Sequence, residues 1–130
     1  MIFVDSSVWI DFFNGRSTRQ TVLLNELLGH ELIVIGDLVL TEVLQGFQDD
    51  GDFNKARKLL DSLVFMQMLG RELAIKSAVN YRILRKKGIT VRKTIDVIIA
   101  TFCIENNFLL LHSDRDFKAM EEHLILKVIS

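Results

Sequence analysis

Three runs along the chain are apolar without alternation: Ile2-Phe3-Val4, Leu32–Ile35 (LIVI) and Phe108–Leu111 (FLLL). Short continuous runs of this kind are what a strand buried on both faces of a parallel sheet requires. Val64–Met68 and Ile125–Val128 are weaker candidates of the same type. Between them the apolar spacing becomes helical. Val22, Leu23, Leu27 and Leu28 fit a short amphipathic helix that Gly29 can end, and Leu38, Val39, Val43 and Phe47 fit a second with Asp37 as its expected N-cap. Ala56, Leu59, Leu60 and Leu63 mark a third. Leu73 to Lys87 predicts a longer helix whose basic end is followed by Gly88. Ile95, Ile98, Ile99 and Phe102 belong to a helix so apolar that it is expected at the centre. Strands alternating with helices predict an α/β fold, a three-layer α/β/α sandwich around a mainly parallel sheet.

The chain has 130 residues, no proline and no Ser/Gly-rich stretch, so residues 1–130 read as one domain with no linker. No apolar run reaches the ~18 residues of a membrane span. With Asp5 in place of a basic leader residue, the expectation is a cytoplasmic protein. The net charge of -1 excludes a blanket attraction to nucleic acid or anionic lipid and leaves room for a local basic patch. Cys103 is the only cysteine, and His30, His112 and His123 are scattered, which argues against a disulfide frame or a zinc site.

Most acids need no special account; Asp49, Asp50 and Asp52 around Gly51 read as a solvated turn, and Asp11 as a structural acid paired with a basic side chain. Four others stand where a plain core would not place them. Asp5 follows the first strand run, and Asp114 comes three residues after FLLL, so a parallel sheet would project both from its carboxyl edge. Asp96 is the only charge between Thr94 and Ile104, and Glu42 the only one between Leu38 and Gln48, with no ion-pair partner evident nearby. Each has an ordinary alternative: helix N-caps for Asp5 and Asp114, the helix dipole for Asp96, an edge facing solvent for Glu42. If the four converge, electrostatics constrains the rest. Two unit charges ~4 Å apart repel by about 4 kcal/mol at an effective dielectric near 20, so such a cluster takes up protons or binds a cation. All-oxygen ligands suit Mg²⁺ or Mn²⁺, ions that act on phosphate esters.

The segments VDSSVWIDFF, LTEVLQGF, TIDVIIATFCIENN and LLLHSDRDF resemble, in that order, the four acidic blocks of the PIN-domain family, and most closely its VapC-type branch, the toxin ribonucleases of bacterial toxin–antitoxin pairs. The likeness covers nearly the whole chain. It implies an acidic pocket at the carboxyl edge of the sheet, with Asp5, Glu42, Asp96 and Asp114 as catalytic and metal-coordinating residues. Asp116 is a further candidate ligand. Ser6 is the small hydroxyl residue after the first acid, placed to hold Asp5 or a water, or else to cap the helix that follows. The implied reaction is Mg²⁺- or Mn²⁺-dependent hydrolysis of an RNA phosphodiester by a metal-activated water, leaving a 5′-phosphate and a 3′-hydroxyl. The implied partners are transfer or ribosomal RNA, a cognate antitoxin and a second copy of the chain in a homodimer, with no membrane.

RNA needs cations, and Arg82, Arg85, Lys86, Lys87, Arg92 and Lys93 place six of them in twelve residues ahead of Asp96. Arg92 and Lys93, with Arg115 and also Arg16 and Arg19, are the candidate RNA contacts; a solvated helix end is the ordinary alternative for Lys86 and Lys87. Trp9, Phe12 and Phe13 read as core or as part of an apolar groove for the antitoxin. Two readings compete with the nuclease: a catalytically silent scaffold of the same fold, against which the retained acids argue, and a phospho-accepting receiver domain, which lacks here both its adjacent acid pair and its late lysine.

Overall fold

The computed structural model describes residues 1–130. In chain order the elements are β1 (Ile2–Val4), α1 (Ser6–Phe13), α2 (Arg19–Leu27), β2 (Ile33–Gly36), α3 (Asp37–Gln45), α4 (Asp50–Asp61), β3 (Val64–Met66), α5 (Arg71–Lys86), α6 (Thr94–Asn106), β4 (Leu109–Leu111), a 3-10 turn (Arg115–Phe117) and α7 (Lys118–His123). The four strands form one sheet in the order β3-β2-β1-β4, every pair parallel, with Phe3 opposite Val34 on one side and Leu110 on the other. Successive strand side chains point to opposite faces. Because every residue of β1 and β2 is buried, helices must cover both faces, which gives the α/β/α sandwich.

From β1 the chain adds β2 and β3 outward on one side and then returns to place β4 on the other. The strand order therefore reverses between β1 and β4, and their carboxyl ends flank the kind of crevice in which open α/β sheets bind ligands. Against this sheet lies α6, with Val97, Ile99, Ala100, Thr101, Phe102 and Cys103 all buried. Phe102 stacks obliquely between Phe3 at 5.6 Å and Phe108 at 5.9 Å, locking α6 to β1 and to the entry of β4. The helix ends at Asn107 in the left-handed conformation (φ 57°), one that Asn tolerates better than most residues.

The differences from expectation have local causes. Ile125–Val128 does not become a strand; a single bridge joins Val128 to Leu110, and Ile125 at φ 56° turns the chain out of extended geometry. Asp37 is the first residue of α3 rather than its cap, which is Gly36. The Asp37 carboxylate instead accepts the amides of Leu38 and Met68, each at 3.0 Å, tying α3 to the loop after β3. Asp49, Asp50 and Asp52 form the start of α4, Asp49 capping it through the Asp52 amide at 2.9 Å. Gly36 is required by close approach: a Cβ there would lie 2.2 Å from Met68 Sδ and 3.2 Å from a ring carbon of Phe3. Trp9 is fully buried and packs with Phe12 and Phe13, so it serves the core and not a groove. Asp11 has its basic partner, Arg16 at 3.3 Å. No helix is long and apolar enough to cross a membrane.

Candidate metal centre

The Asp5 amide donates to the Leu111 carbonyl at 2.9 Å, joining the end of β1 to the end of β4 and holding the buried Asp5 in the crevice between them. Asp5 is also the N-cap of α1. Its Oδ2 accepts both the amide of Ser7 at 3.1 Å and the Ser7 hydroxyl at 2.6 Å, which leaves Oδ1 uncommitted. Ser7 in turn accepts the amide of Ser113 at 3.3 Å, a second stitch across the crevice. Ser6 does not hold Asp5. Its hydroxyl donates to Glu42 Oε1 at 3.3 Å, drawing the half-buried glutamate of α3 toward the pocket.

Asp114 begins the 3-10 turn and caps it, Oδ1 accepting the Asp116 amide at 2.9 Å. Both roles left open for Asp5 and for Asp114 are thus compatible, since capping uses one carboxylate oxygen and frees the other. Asp96 lies in the first turn of α6, only 4% exposed, and its Oδ2 is buried with no hydrogen-bond partner. One carboxylate oxygen from each of Asp96, Asp114 and Asp116 falls within 4.8 Å of the others. Asp116, the marginal candidate in the sequence, therefore belongs to the cluster.

Two cations answer these acids. Arg92 sets one guanidinium nitrogen 2.8 and 3.0 Å from the two oxygens of Asp116. The Lys93 ammonium lies 3.4 Å from Asp114 Oδ2 and 3.7 Å from Asp96 Oδ2. The partner that Asp96 lacked in the sequence is thus three residues before it. The electrostatic consequences follow. Burial is the largest influence on Asp96 and pushes its pKa up to about 6; Lys93 pulls it back, while Asp5, Asp114 and Asp116 add to the rise. Glu42 is raised by burial and by Asp5, against relief from Ser6 and Lys93. Burial opposes ionisation of Asp114, but the Asp116 amide, Lys93 and Arg92 outweigh it and hold its pKa below the ordinary carboxylate range. These couplings put Asp5, Glu42, Asp96 and Asp114 in one electrostatic neighbourhood.

The donor set decides what cation fits. It is all carboxylate oxygen, with neither nitrogen nor thiolate, which suits a hard divalent ion and not zinc. An orphaned carboxylate oxygen in a buried position costs free energy until a cation or donor meets it. A cavity of 170 Å³ borders the cluster, lined in part by Arg92, Asp96, Arg115 and Asp116. A larger groove of 430 Å³ between α5 and α6 contains no acid and lies apart from this chemistry.

Residues 2–123 match the PIN domain family. The chain is a member of the PIN-domain family. Among curated proteins, this PIN domain is 29% identical over 119 residues to a VapC ribonuclease of Mycobacterium bovis, Mb1587, covering 90% of this chain and 89% of the relative. The same figures hold for Ribonuclease VapC11 of Mycobacterium tuberculosis. Among solved structures, its fold is shared by VapBC2 of Rickettsia felis bound to a promoter DNA fragment, with TM-score 0.77 at 18% identity, covering 99% of this chain and 98% of that one. It is shared too by VapC20 of M. tuberculosis, a toxin that cleaves the sarcin–ricin loop, with TM-score 0.70 at 15% identity and coverage of 92% and 94%.

Three participants escaped the sequence reading: Ser7, Lys93 as a partner of the acids, and Arg92 as the clamp on Asp116. The first two carried a signal. A capping Asp binds the amide two or three residues on, which singles out Ser7 rather than Ser6, and Lys93 precedes Asp96 by the three residues that share a helix face.

Proposed function

We propose that this PIN domain is a divalent-metal-dependent endoribonuclease and the toxin half of a toxin–antitoxin pair. The observation that carries the reading is the buried Oδ2 of Asp96, which accepts no hydrogen bond, within a cluster completed by Asp114 and Asp116 and flanked by Asp5 and Glu42. Likeness to VapC ribonucleases over nine-tenths of the chain supplies the reaction class. Asp5, Asp96 and Asp114, with Asp116, would hold Mg²⁺ or Mn²⁺. Such an ion polarises phosphoryl oxygens and brings the pKa of a water toward neutrality.

The chain's own groups do the rest. Ser7 and the Asp116 amide fix the first and last carboxylates, so the acids need little reorganisation on binding. Glu42, half exposed and oriented by Ser6, stands at the rim as an acceptor for a water proton. Arg115 is exposed, makes no ion pair and lines the adjoining cavity, which suits it to a phosphate of the RNA backbone. No side-chain nucleophile is required, and Cys103 is not placed to be one, being buried with its thiol pKa raised by burial. Transfer or ribosomal RNA as substrate, a cognate antitoxin, a homodimer and action in the cytoplasm complete the proposal. They rest on the VapC likeness and on the VapBC complexes that share the fold.

The test is cleavage of labelled structured RNA by purified protein with and without Mn²⁺, alongside Asp5→Asn and Asp96→Asn. Mn²⁺-dependent cleavage lost in both variants is expected. Cleavage that persists in both would refute the assignment.

A further inference from the structure

Lys93 is the residue just before α6, in extended backbone (φ -130°, ψ 119°), and its side chain caps nothing. Although half exposed, it does not extend into solvent. Its ammonium turns inward to Asp114 Oδ2 at 3.4 Å and Asp96 Oδ2 at 3.7 Å, and it feels Asp5 and Glu42 as well. The choice of oxygens is informative. Asp114 Oδ1 is spent on the Asp116 amide, and Asp96 Oδ2 has no hydrogen bond, so the ammonium faces the two oxygens that a divalent ion would use. Arg92 behaves differently, its planar group engaging both oxygens of Asp116 beside them.

We propose that Lys93 is a tethered internal cation that competes with the divalent metal for Asp96 and Asp114, and so sets the metal concentration at which the site loads. This rests on the nuclease reading above and adds a regulatory element to the same site. A divalent ion bound to these oxygens, at about 2.0–2.1 Å if it is Mg²⁺, and an ammonium within 4 Å of the same atoms repel each other strongly. One must leave. An ammonium on a flexible four-carbon stem, already half in water, is the group that can leave without disturbing the fold. Without metal it offsets mutual repulsion among the acids; with metal that service is redundant. The two cations are thus negatively coupled ligands of one site, for which coupling on the order of tenfold is ordinary.

The experiment uses the full chain, stripped of metal with EDTA and then dialysed, titrated with Mn²⁺ by calorimetry. Wild type is compared with Lys93→Met, which keeps the length and drops the charge, with Lys93→Gln as a second neutral side chain, and with Asp96→Asn. Far-ultraviolet circular dichroism verifies that each is folded. Both neutral Lys93 variants are expected to bind Mn²⁺ about tenfold more tightly. Their metal-free melting temperatures should fall below wild type, and the deficit should close at saturating Mn²⁺. A merely structural lysine would not raise affinity on removal. Unchanged or weaker binding in both variants, with wild type binding and Asp96→Asn not, overturns the role of Lys93 and leaves the metal site standing. No Mn²⁺ binding by any of the proteins overturns both.

Discussion

Replacing Asp96 by Asn separates the cost of the acid cluster from its use. In the native chain the Asp96 pKa rises from 3.8 to about 6. The native state therefore binds the proton more tightly than the unfolded chain does, and stability falls as pH climbs through that window. Above pH ~6 the loss is complete. A shift of this size corresponds to roughly 3 kcal/mol at about 1.4 kcal/mol per pH unit. Asparagine is nearly isosteric and carries no charge to desolvate, but it deprives Lys93 of one partner, so the expected net gain is about 1–3 kcal/mol. For a chain of this length that raises Tm by about 5–10 °C. The assay is thermal or urea unfolding in EDTA at pH 7.5 and at pH 4. Asp96→Asn should be the more stable protein at pH 7.5, and most of the gap should close at pH 4, near the unfolded-state pKa. Mn²⁺ should then invert the order. At a hundred times its Kd the ion adds about 2.7 kcal/mol to wild type and little to the variant. If Asp96→Asn proves no more stable than wild type at pH 7.5 in EDTA, the picture of a strained, cation-seeking carboxylate is wrong.

Other substitutions probe the frame around the pocket. Ser7→Ala removes the 2.6 Å hydroxyl donor to Asp5 and should cost about 2 kcal/mol in urea unfolding, with Mn²⁺ affinity down roughly tenfold by calorimetry. Gly36→Ala forces a methyl into Met68 Sδ at 2.2 Å and should destabilise by about 1–3 kcal/mol; Met68→Ala in the same chain should restore part of the packing lost, so the two changes are non-additive in a double-mutant cycle. Ile125→Gly relieves a β-branched residue held at φ 56° and 78% exposed, and should raise stability by about 1 kcal/mol in the same urea assay.

The strands were legible because burial on both sheet faces demands uninterrupted apolar runs, and IFV, IVI and LLL are such runs. Ile125–Val128 has the same composition, yet a backbone turn at Ile125 decides its fate, and apolar content carries no record of φ. The acids were legible one at a time, as charges with no reason to sit beside apolar residues. Their mutual geometry was not, because the crevice is made by elements far apart in the chain. Helix phase separates Ser6 from Ser7: with Asp5 as the cap, the Ser7 amide and hydroxyl turn back to it, and Ser6 is left to reach Glu42. The Arg92–Asp116 clamp spans 24 residues, and only tertiary structure brings it together. Among the candidate RNA contacts ahead of Asp96, Arg92 and Lys93 face the acids, and Arg16 faces Asp11, pairings that the spacing of the cations alone does not reveal.

The pairing of the first strand with the last has a consequence for biosynthesis. Asp5 leaves the ribosome well before the strand that anchors it, Leu109–Leu111, and Asp114 comes later still. A nascent chain halted anywhere before that strand has the first acid and not the last. The acidic pocket that β1 and β4 share therefore cannot exist on the nascent chain until both strands have left the ribosome.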